Sequence, residues 1–253
     1  MARNQTLLKI LTDMRGEARL SMNPSHNLGD RDAQIGLLQR EQERLWADHD
    51  WPHLMVSRYL PAGAGRRYYD PRAGFNENWE PKNDLSMERI SDVAIFDGHL
   101  WRTLHYGIGD HMRFSHDSLA GEVSWPPRAW QRSEDDALEI WPMPDESGVT
   151  SVNQSAPPEM QAVIRIRGVR DLRPFRDDDD RADLDDRLLA LYGGAAILAE
   201  AGAKDTNLKL EAAQRHYLRI KGDQDQREPF SLFGTRAVQH VPRPYVSRYR
   251  RPE

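Results

Sequence analysis

The chain contains no cysteine, and this absence excludes several classes of protein. Disulfide scaffolds, thiolate nucleophiles, cysteine-containing zinc sites and iron–sulfur clusters all require that residue. Core-forming side chains are also scarce, since Leu, Ile, Val and Phe together make up 51 of the 253 residues, although seven Trp and eight Tyr partly compensate. So thin a core is typical of a subunit that buries surface against partners in an assembly.

Long apolar runs and a strong charge imbalance are missing as well. Charged residues interrupt the first 20 positions, and nowhere do about 18 apolar residues follow one another, so the sequence predicts neither a signal peptide nor a membrane span. The formal net charge is −5, which argues against binding of the whole surface to a phosphate backbone.

Apolar periodicity predicts four helices, two before residue 50 and two after residue 177. Asp30 and Asp205 are candidate caps for the second and fourth helix, and the acidic residues before Leu188 suit the start of the third. The apolar stripes are Leu7–Leu11–Met14–Ala18, Ile35–Leu38–Gln42–Leu45, Leu184–Leu188–Leu191–Ala195–Leu198 and Leu210–Ala213–Tyr217–Ile220.

A glycine pair, Gly193-Gly194, interrupts the third predicted helix. Two glycines in a helix cost roughly 2 kcal/mol relative to two alanines. We therefore expect the backbone of another helix to approach closely at this point.

The segment 51–176 has a different composition and predicts a β-rich region. It holds 11 of the 16 prolines and six of the seven tryptophans, which suits short strands joined by turns. The clearest hairpin joins strands 93–96 and 99–104 through Asp97-Gly98, a pair that favours a type I′ turn. Residues 138–141 and 162–169 are further predicted strands.

A dense acidic cluster precedes the third helix. It comprises Asp177, Asp178, Asp179, Asp180 and Asp183, followed by Asp185 and Asp186. Carboxylates this close could bind Ca²⁺ or Mg²⁺, but the spacing lacks the central Gly and terminal Glu of an EF-hand loop. A capped, solvated helix start is the favoured interpretation, and we expect no metal site.

The segment from His105 to Asp117 could form a metal or acid–base site, because it also holds His111, His116 and Asp110. The spacing matches no helical ligand motif, and Gly107 and Gly109 favour an ordinary surface loop. Motifs of serine hydrolases, phosphate-binding loops and zinc proteases are absent from the sequence. We therefore expect no catalytic residue, no cofactor and no enzyme activity.

The last 25 residues combine four Pro, five Arg and interleaved aromatic side chains, without a periodic apolar face. Three interpretations are open: a peptide that docks on a partner protein, a tail that binds nucleic acid, or a segment without a role. Docking is favoured, and its candidate residues are Phe230, Phe233, Arg236, Arg243, Tyr245, Arg248, Tyr249 and Arg250.

Several segments, in their order along the chain, resemble the head-to-tail adaptor (connector, or head completion) proteins of tailed bacteriophages of the podovirus type. The resemblance covers most of residues 1–222. The segments are Asn23-Pro24-Ser25-His26-Asn27, Arg31-Asp32-Ala33-Gln34-Ile35, Gln42-Glu43-Arg44-Leu45-Trp46, Asp50-Trp51-Pro52, Ile140-Trp141-Pro142-Met143-Pro144, residues 167–174 and residues 178–186.

The resemblance implies an α+β fold: a four-helix adaptor core of two helical hairpins, with a β-rich insertion between helices two and three and an extended C-terminal arm. The expected organisation is a first hairpin over 1–50, the insertion over 51–176, a second hairpin over 177–222 and the arm over 223–253. The acidic cluster is then expected either to line a negative lumen or to pair with arginines of a neighbouring copy.

The resemblance also implies a function. Such proteins are structural virion proteins that form a ring, commonly a dodecamer, beneath the portal protein and join the DNA-filled head to the tail. The expected partners are other copies of the chain, the portal protein and tail nozzle or tail fibre proteins, while packaged DNA passes through the lumen without sequence-specific binding. Assembly in the bacterial cytoplasm is expected. The alternatives are a neighbouring tail or nozzle component and a DNA-binding module that uses the Arg-rich arm.

Overall fold

The computed structural model describes residues 4–21, 23, 29–97, 99–117, 120–151 and 162–225. These residues form an α+β fold with six α-helices and two sheets of four strands. The helices are α1 Leu7–Glu17, α2 Arg31–Asp48, α3 Asp110–Ser115, α4 Glu146–Ser151, α5 Asp186–Glu200 and α6 Thr206–Asp225. The strands are β1 Met55–Pro61, β2 Tyr68–Tyr69, β3 Leu85–Phe96, β4 Trp101–Thr103, β5 His105–Tyr106, β6 Ala129–Arg132, β7 Leu138–Trp141 and β8 Val163–Arg170.

The α+β class is confirmed, but the prediction of a four-helix adaptor core made of two helical hairpins was wrong. The described residues contain six helices, and α1 and α2 each pack more extensively against α5 than against each other, although Arg15 of α1 donates a buried hydrogen bond to Gln34 of α2 at 2.8 Å. Apolar stripes show that a helix has a buried face, but they do not show which other helix covers it. The short helices α3 and α4 were missed because six residues are too few to display a stripe.

Helix α5 lies at the centre of the helical part of the protein, with α1, α2 and α6 packed around it. At Gly194 an added Cβ would lie 3.3 Å from the carbonyl oxygen of Met14, and at Gly193 it would lie 2.6 Å from the Met14 sulfur. The close approach predicted from the glycine pair is therefore confirmed, and the approaching backbone is that of α1.

The two sheets enclose an apolar core that is separate from the core of the helical part. The first sheet has the order β1-β8-β3-β4 and is antiparallel throughout, whereas the second has the order β2-β7-β6-β5 with a parallel β5–β6 pair. Buried side chains from both sheets form one cluster, which includes Ile95, Ile164, Tyr69 and Ile140. Among the described residues no helix combines the length and apolarity that crossing a membrane requires.

The hairpin predicted between β3 and β4 is confirmed, but its turn differs from the prediction. Phe96 pairs with Trp101, so four residues connect the strands and not the two of a type I′ turn. The Asp97 carboxylate accepts hydrogen bonds from the backbone N–H groups of His99 and Leu100, both at 3.0 Å. A side chain therefore satisfies the backbone donors of this loop, as Asp commonly does in turns.

Candidate assembly surfaces

The acidic segment 177–186 lies where the N-termini of α1 and α5 meet. The backbone carbonyls of Asp180 and Asp178 accept hydrogen bonds from the N–H groups of Leu7 and Leu8, at 2.7 and 3.2 Å. The Asp185 carboxylate accepts one from the N–H of Leu188 at 3.0 Å and so caps α5. The segment thus satisfies backbone donors that a helix start leaves without partners.

Asp183 lies inside the protein, where its side chain has no exposed surface. Its Oδ1 accepts hydrogen bonds from Arg170 at 2.7 Å and Arg173 at 2.6 Å, and its Oδ2 accepts one from the Arg173 backbone at 2.8 Å. Burial acts to raise the pKa of this carboxyl, but the hydrogen bonds from the two arginines outweigh it and lower the pKa. Asp183 therefore holds β8 against the start of α5.

The other four predicted acidic residues lie nearer the surface. Asp177, Asp178 and Asp179 are exposed, and Asp178 pairs with Arg31 of α2. Asp180 accepts hydrogen bonds from the backbone N–H groups of Asp177 and Arg176, which lower its pKa. With the described residues the carboxylates of Asp177 and Asp179 make no hydrogen bond or ion pair. The interface or lumen role of these residues stays a prediction.

The histidines of residues 105–117 do not converge. His105 lies in β5, His111 on α3, and the ring of His116 packs edge-on against Trp141 with centroids 5.8 Å apart. No group of three His, Asp or Glu side chains in the described part of the chain is arranged to hold a metal ion. The segment is a short strand and a short helix, where a surface loop was the expectation.

Sequence reasoning missed a buried ionic network in the second sheet, centred on Glu139 of β7. Its carboxylate accepts hydrogen bonds from Arg67 at 2.8 Å, Arg113 at 3.1 Å and Gln131 at 2.8 Å. Burial acts to raise the pKa of Glu139, and these partners, Arg113 first, lower it overall. The network joins α3 to β6, to β7 and to Arg67, the residue that precedes β2, and no sequence motif marks partners so far apart.

A strip of aromatic side chains lies on the first sheet and is only half covered by protein. It consists of Phe75, Trp79, Tyr59, Trp101 and Phe96, whose successive ring centroids are 5.8, 6.3, 6.2 and 5.4 Å apart. The guanidinium of Arg165 stacks over the Trp101 ring at 4.9 Å. Aromatic residues and Arg are the side chains enriched at protein interfaces, so this aromatic strip is a candidate interaction surface.

The predicted docking residues of the arm, Phe230 to Arg250, lie outside the described residues. Their role stays a prediction.

A family model described as SU10 adaptor protein matches residues 9–239. The chain belongs to this family of bacteriophage head-to-tail adaptors. Both sheets and five of the six helices lie wholly inside the matched region. No curated protein shows a significant sequence match. Membership makes this adaptor a structural component of a virion that associates with other head–tail proteins, and it confirms the resemblance found in the sequence.

Proposed function

We propose that this adaptor forms a ring of identical subunits beneath the portal, joins the DNA-filled head to the tail and forms part of the channel through which the genome is ejected. The observation that carries the proposal is the family match, which spans both the helical and the β-rich parts of the chain. The role is structural and requires neither catalysis nor a cofactor.

The surface chemistry supports an assembly subunit. A subunit in a closed ring buries two side faces against identical neighbours, which offsets a small core of its own. The aromatic strip and the exposed Phe114 on α3 supply the kind of surface that neighbours or tail proteins bury. We assign these surfaces to contacts with other copies and with tail nozzle or tail fibre proteins.

We assign the C-terminal arm, residues 223–253, to docking on the portal protein. Its prolines favour an extended peptide, and its arginines and aromatics suit docking in a groove of a partner protein. In this arrangement DNA passes through the ring without base-specific contacts, and assembly takes place in the bacterial cytoplasm before the tail is attached.

The experiment that tests the ring is electron microscopy of particles purified after co-expression with the portal protein of the same gene cluster. The expected result is an additional ring of density beneath the portal, with the rotational symmetry of a closed oligomer. Portal particles that look identical with and without the adaptor would contradict the proposal. A dodecamer should appear as twelvefold symmetry of the added ring.

A further inference from the structure

A shallow depression lies between α5 and α6 and is rich in cationic side chains. Its volume is about 270 Å³, and its lining comprises Arg187, Leu191, Ala212, Arg215, His216 and Arg219. We call it the arginine depression. None of its lining residues is acidic.

The positive charge of the arginine depression is not neutralised within the described residues. Arg187 and Arg219 make no hydrogen bond or ion pair with any of them. Arg215 is 3.3 Å from Glu211, but both side chains are well exposed, and such a pair contributes little. In the described part of the chain the lining residues form one other ion pair, in which His216 is 3.0 Å from Asp185, an acid that is buried and already caps α5.

The chain also presents a surface of complementary charge. Asp177 and Asp179 are exposed carboxylates without a partner among the described residues. Arginine forms directed, often bidentate hydrogen bonds to carboxylates, so each set of side chains supplies what the other lacks. All of these side chains belong to the described residues and neither set pairs with the other there, so they do not meet within one copy.

We propose that the arginine depression of one copy receives Asp177 and Asp179 of the next copy. This contact is head-to-tail, because two different surfaces of the same chain meet, and repetition of such a contact forms a ring when the rotation between neighbouring copies closes. Charged pairs at such a boundary fix the orientation and register of the subunits. The proposal rests on the proposed ring and names the residues that join its members.

A phosphate backbone is the competing ligand for the arginine depression. Strong electrostatic binding to DNA uses about six to ten phosphate contacts along a basic stripe. Here three arginines surround one small depression on a chain of net charge −5, which fits a pair of carboxylates better than an extended polyanion.

The test reverses the charge of each surface separately and then of both together. The variants are Arg187→Glu with Arg219→Glu, Asp177→Arg with Asp179→Arg, and the chain that carries all four changes. The fraction of protein in rings is measured by mass photometry, alone and after co-expression with the portal protein. We expect each double variant to lose ring formation by about tenfold or more, and the fourfold variant to recover it, because its charges are complementary again.

A matched control reverses two exposed cations elsewhere, Arg40→Glu with Lys204→Glu, which have no partner among the described residues. It makes the same change in net charge, so equal losses in the control and in the Arg187/Arg219 variant would overturn the proposal. Circular dichroism checks that every variant is folded.

Two further outcomes would also overturn the contact. If the Arg187/Arg219 variant forms rings normally but loses affinity for double-stranded DNA in fluorescence anisotropy, the depression is a nucleic-acid site. If every variant forms rings to the same extent as the unaltered chain, the proposed ring is supported and this contact between copies is wrong. An unaltered chain that forms no ring with or without the portal would instead contradict the proposed function itself, and this contact with it.

Discussion

The carboxylate of Asp183 accepts a hydrogen bond from the guanidinium of Arg173 at 2.6 Å, and the Asp183 side chain is completely buried. Arg170, the last residue of β8, binds the same oxygen. The three residues connect the first sheet to the start of α5, so one acid of the acidic cluster joins the β-rich and helical parts of the adaptor.

Replacing Asp183 by Asn should lower the free energy of unfolding by about 3 kcal/mol, because the neutral amide removes the charge that balances two arginines and turns one of the two accepting oxygens into a donor. Urea unfolding measures the change. The control is Asp135→Asn, an exposed acid in the loop between β6 and β7, which should alter stability by less than about 0.5 kcal/mol. Equal effects of the two substitutions would show that the buried pair does not stabilise the fold.

The same carboxyl predicts a pH dependence. The folded pKa of Asp183 lies below its ordinary value of 3.8, so its contribution to stability is present above pH 4 and is lost as the pH falls through the folded pKa. When unfolding is measured from pH 6 downward, the free energy of unfolding should fall less in Asp183→Asn than in the unaltered chain. Identical pH profiles would contradict this assignment.

Gly194→Ala should destabilise the protein by about 1 to 3 kcal/mol, despite the better helix propensity of alanine. The new methyl group would lie 2.8 Å from the Glu17 Cβ and 3.3 Å from the Met14 carbonyl oxygen, so α1 and α5 must separate. Gly36→Ala in α2 is the matched control. Nothing lies within 4 Å of its added Cβ, and we expect it to stabilise by up to about 1 kcal/mol. A higher unfolding temperature in both variants would refute the close contact between α1 and α5.

Glu139→Gln should lower the free energy of unfolding by about 2 to 3 kcal/mol, because the neutral amide cannot replace the charge that faces Arg67 and Arg113. Glu134→Gln, a change of the same chemistry at an exposed position, should have little effect. Urea unfolding of both variants tests the network. Similar free energies of unfolding for the two variants would mean that the charge of Glu139 does not stabilise the fold.

Phe114→Ser should leave folding intact and weaken association with head–tail proteins. The Phe114 side chain is 87% exposed, so its loss removes almost no internal packing. A large aromatic side chain at an interface is a common energetic anchor. The effect is measured by co-purification of the variant and of the unaltered chain with portal and tail proteins. Urea unfolding first checks that the two chains are equally stable. Unchanged recovery of all partners would remove this residue from the interfaces.

The helices were more predictable from the sequence than their arrangement. The predicted stripe is buried, with Leu7, Leu11 and Met14 in α1 and Ala18 directly after it, and Asp185 caps α5, because both features depend on residues close together in the chain. Asp30 precedes α2, yet its side chain makes no capping hydrogen bond. Leu210 was placed on a buried face of α6 and is 45% exposed, since tertiary packing and not periodicity decides which residues are covered.

The candidate surfaces were less predictable. The acidic cluster was visible as a composition feature, but the burial of Asp183 depends on Arg170 and Arg173, whose approach follows from the fold. The arginine depression combines residues from two helices and has no signature in either. Local sequence patterns report helix starts and turns, whereas ion pairs across a fold require the chain to be folded first.

Capture by the portal protein tests the central claim most directly. The portal protein of the same gene cluster is tagged and co-expressed with the full-length adaptor or with a truncation that ends at Arg227. We predict that the full-length adaptor is retained with the portal and that the truncation is lost, because the arm supplies the docking residues. Retention of neither form, together with capture by a tail nozzle protein, would contradict the account and make this chain a neighbouring tail component.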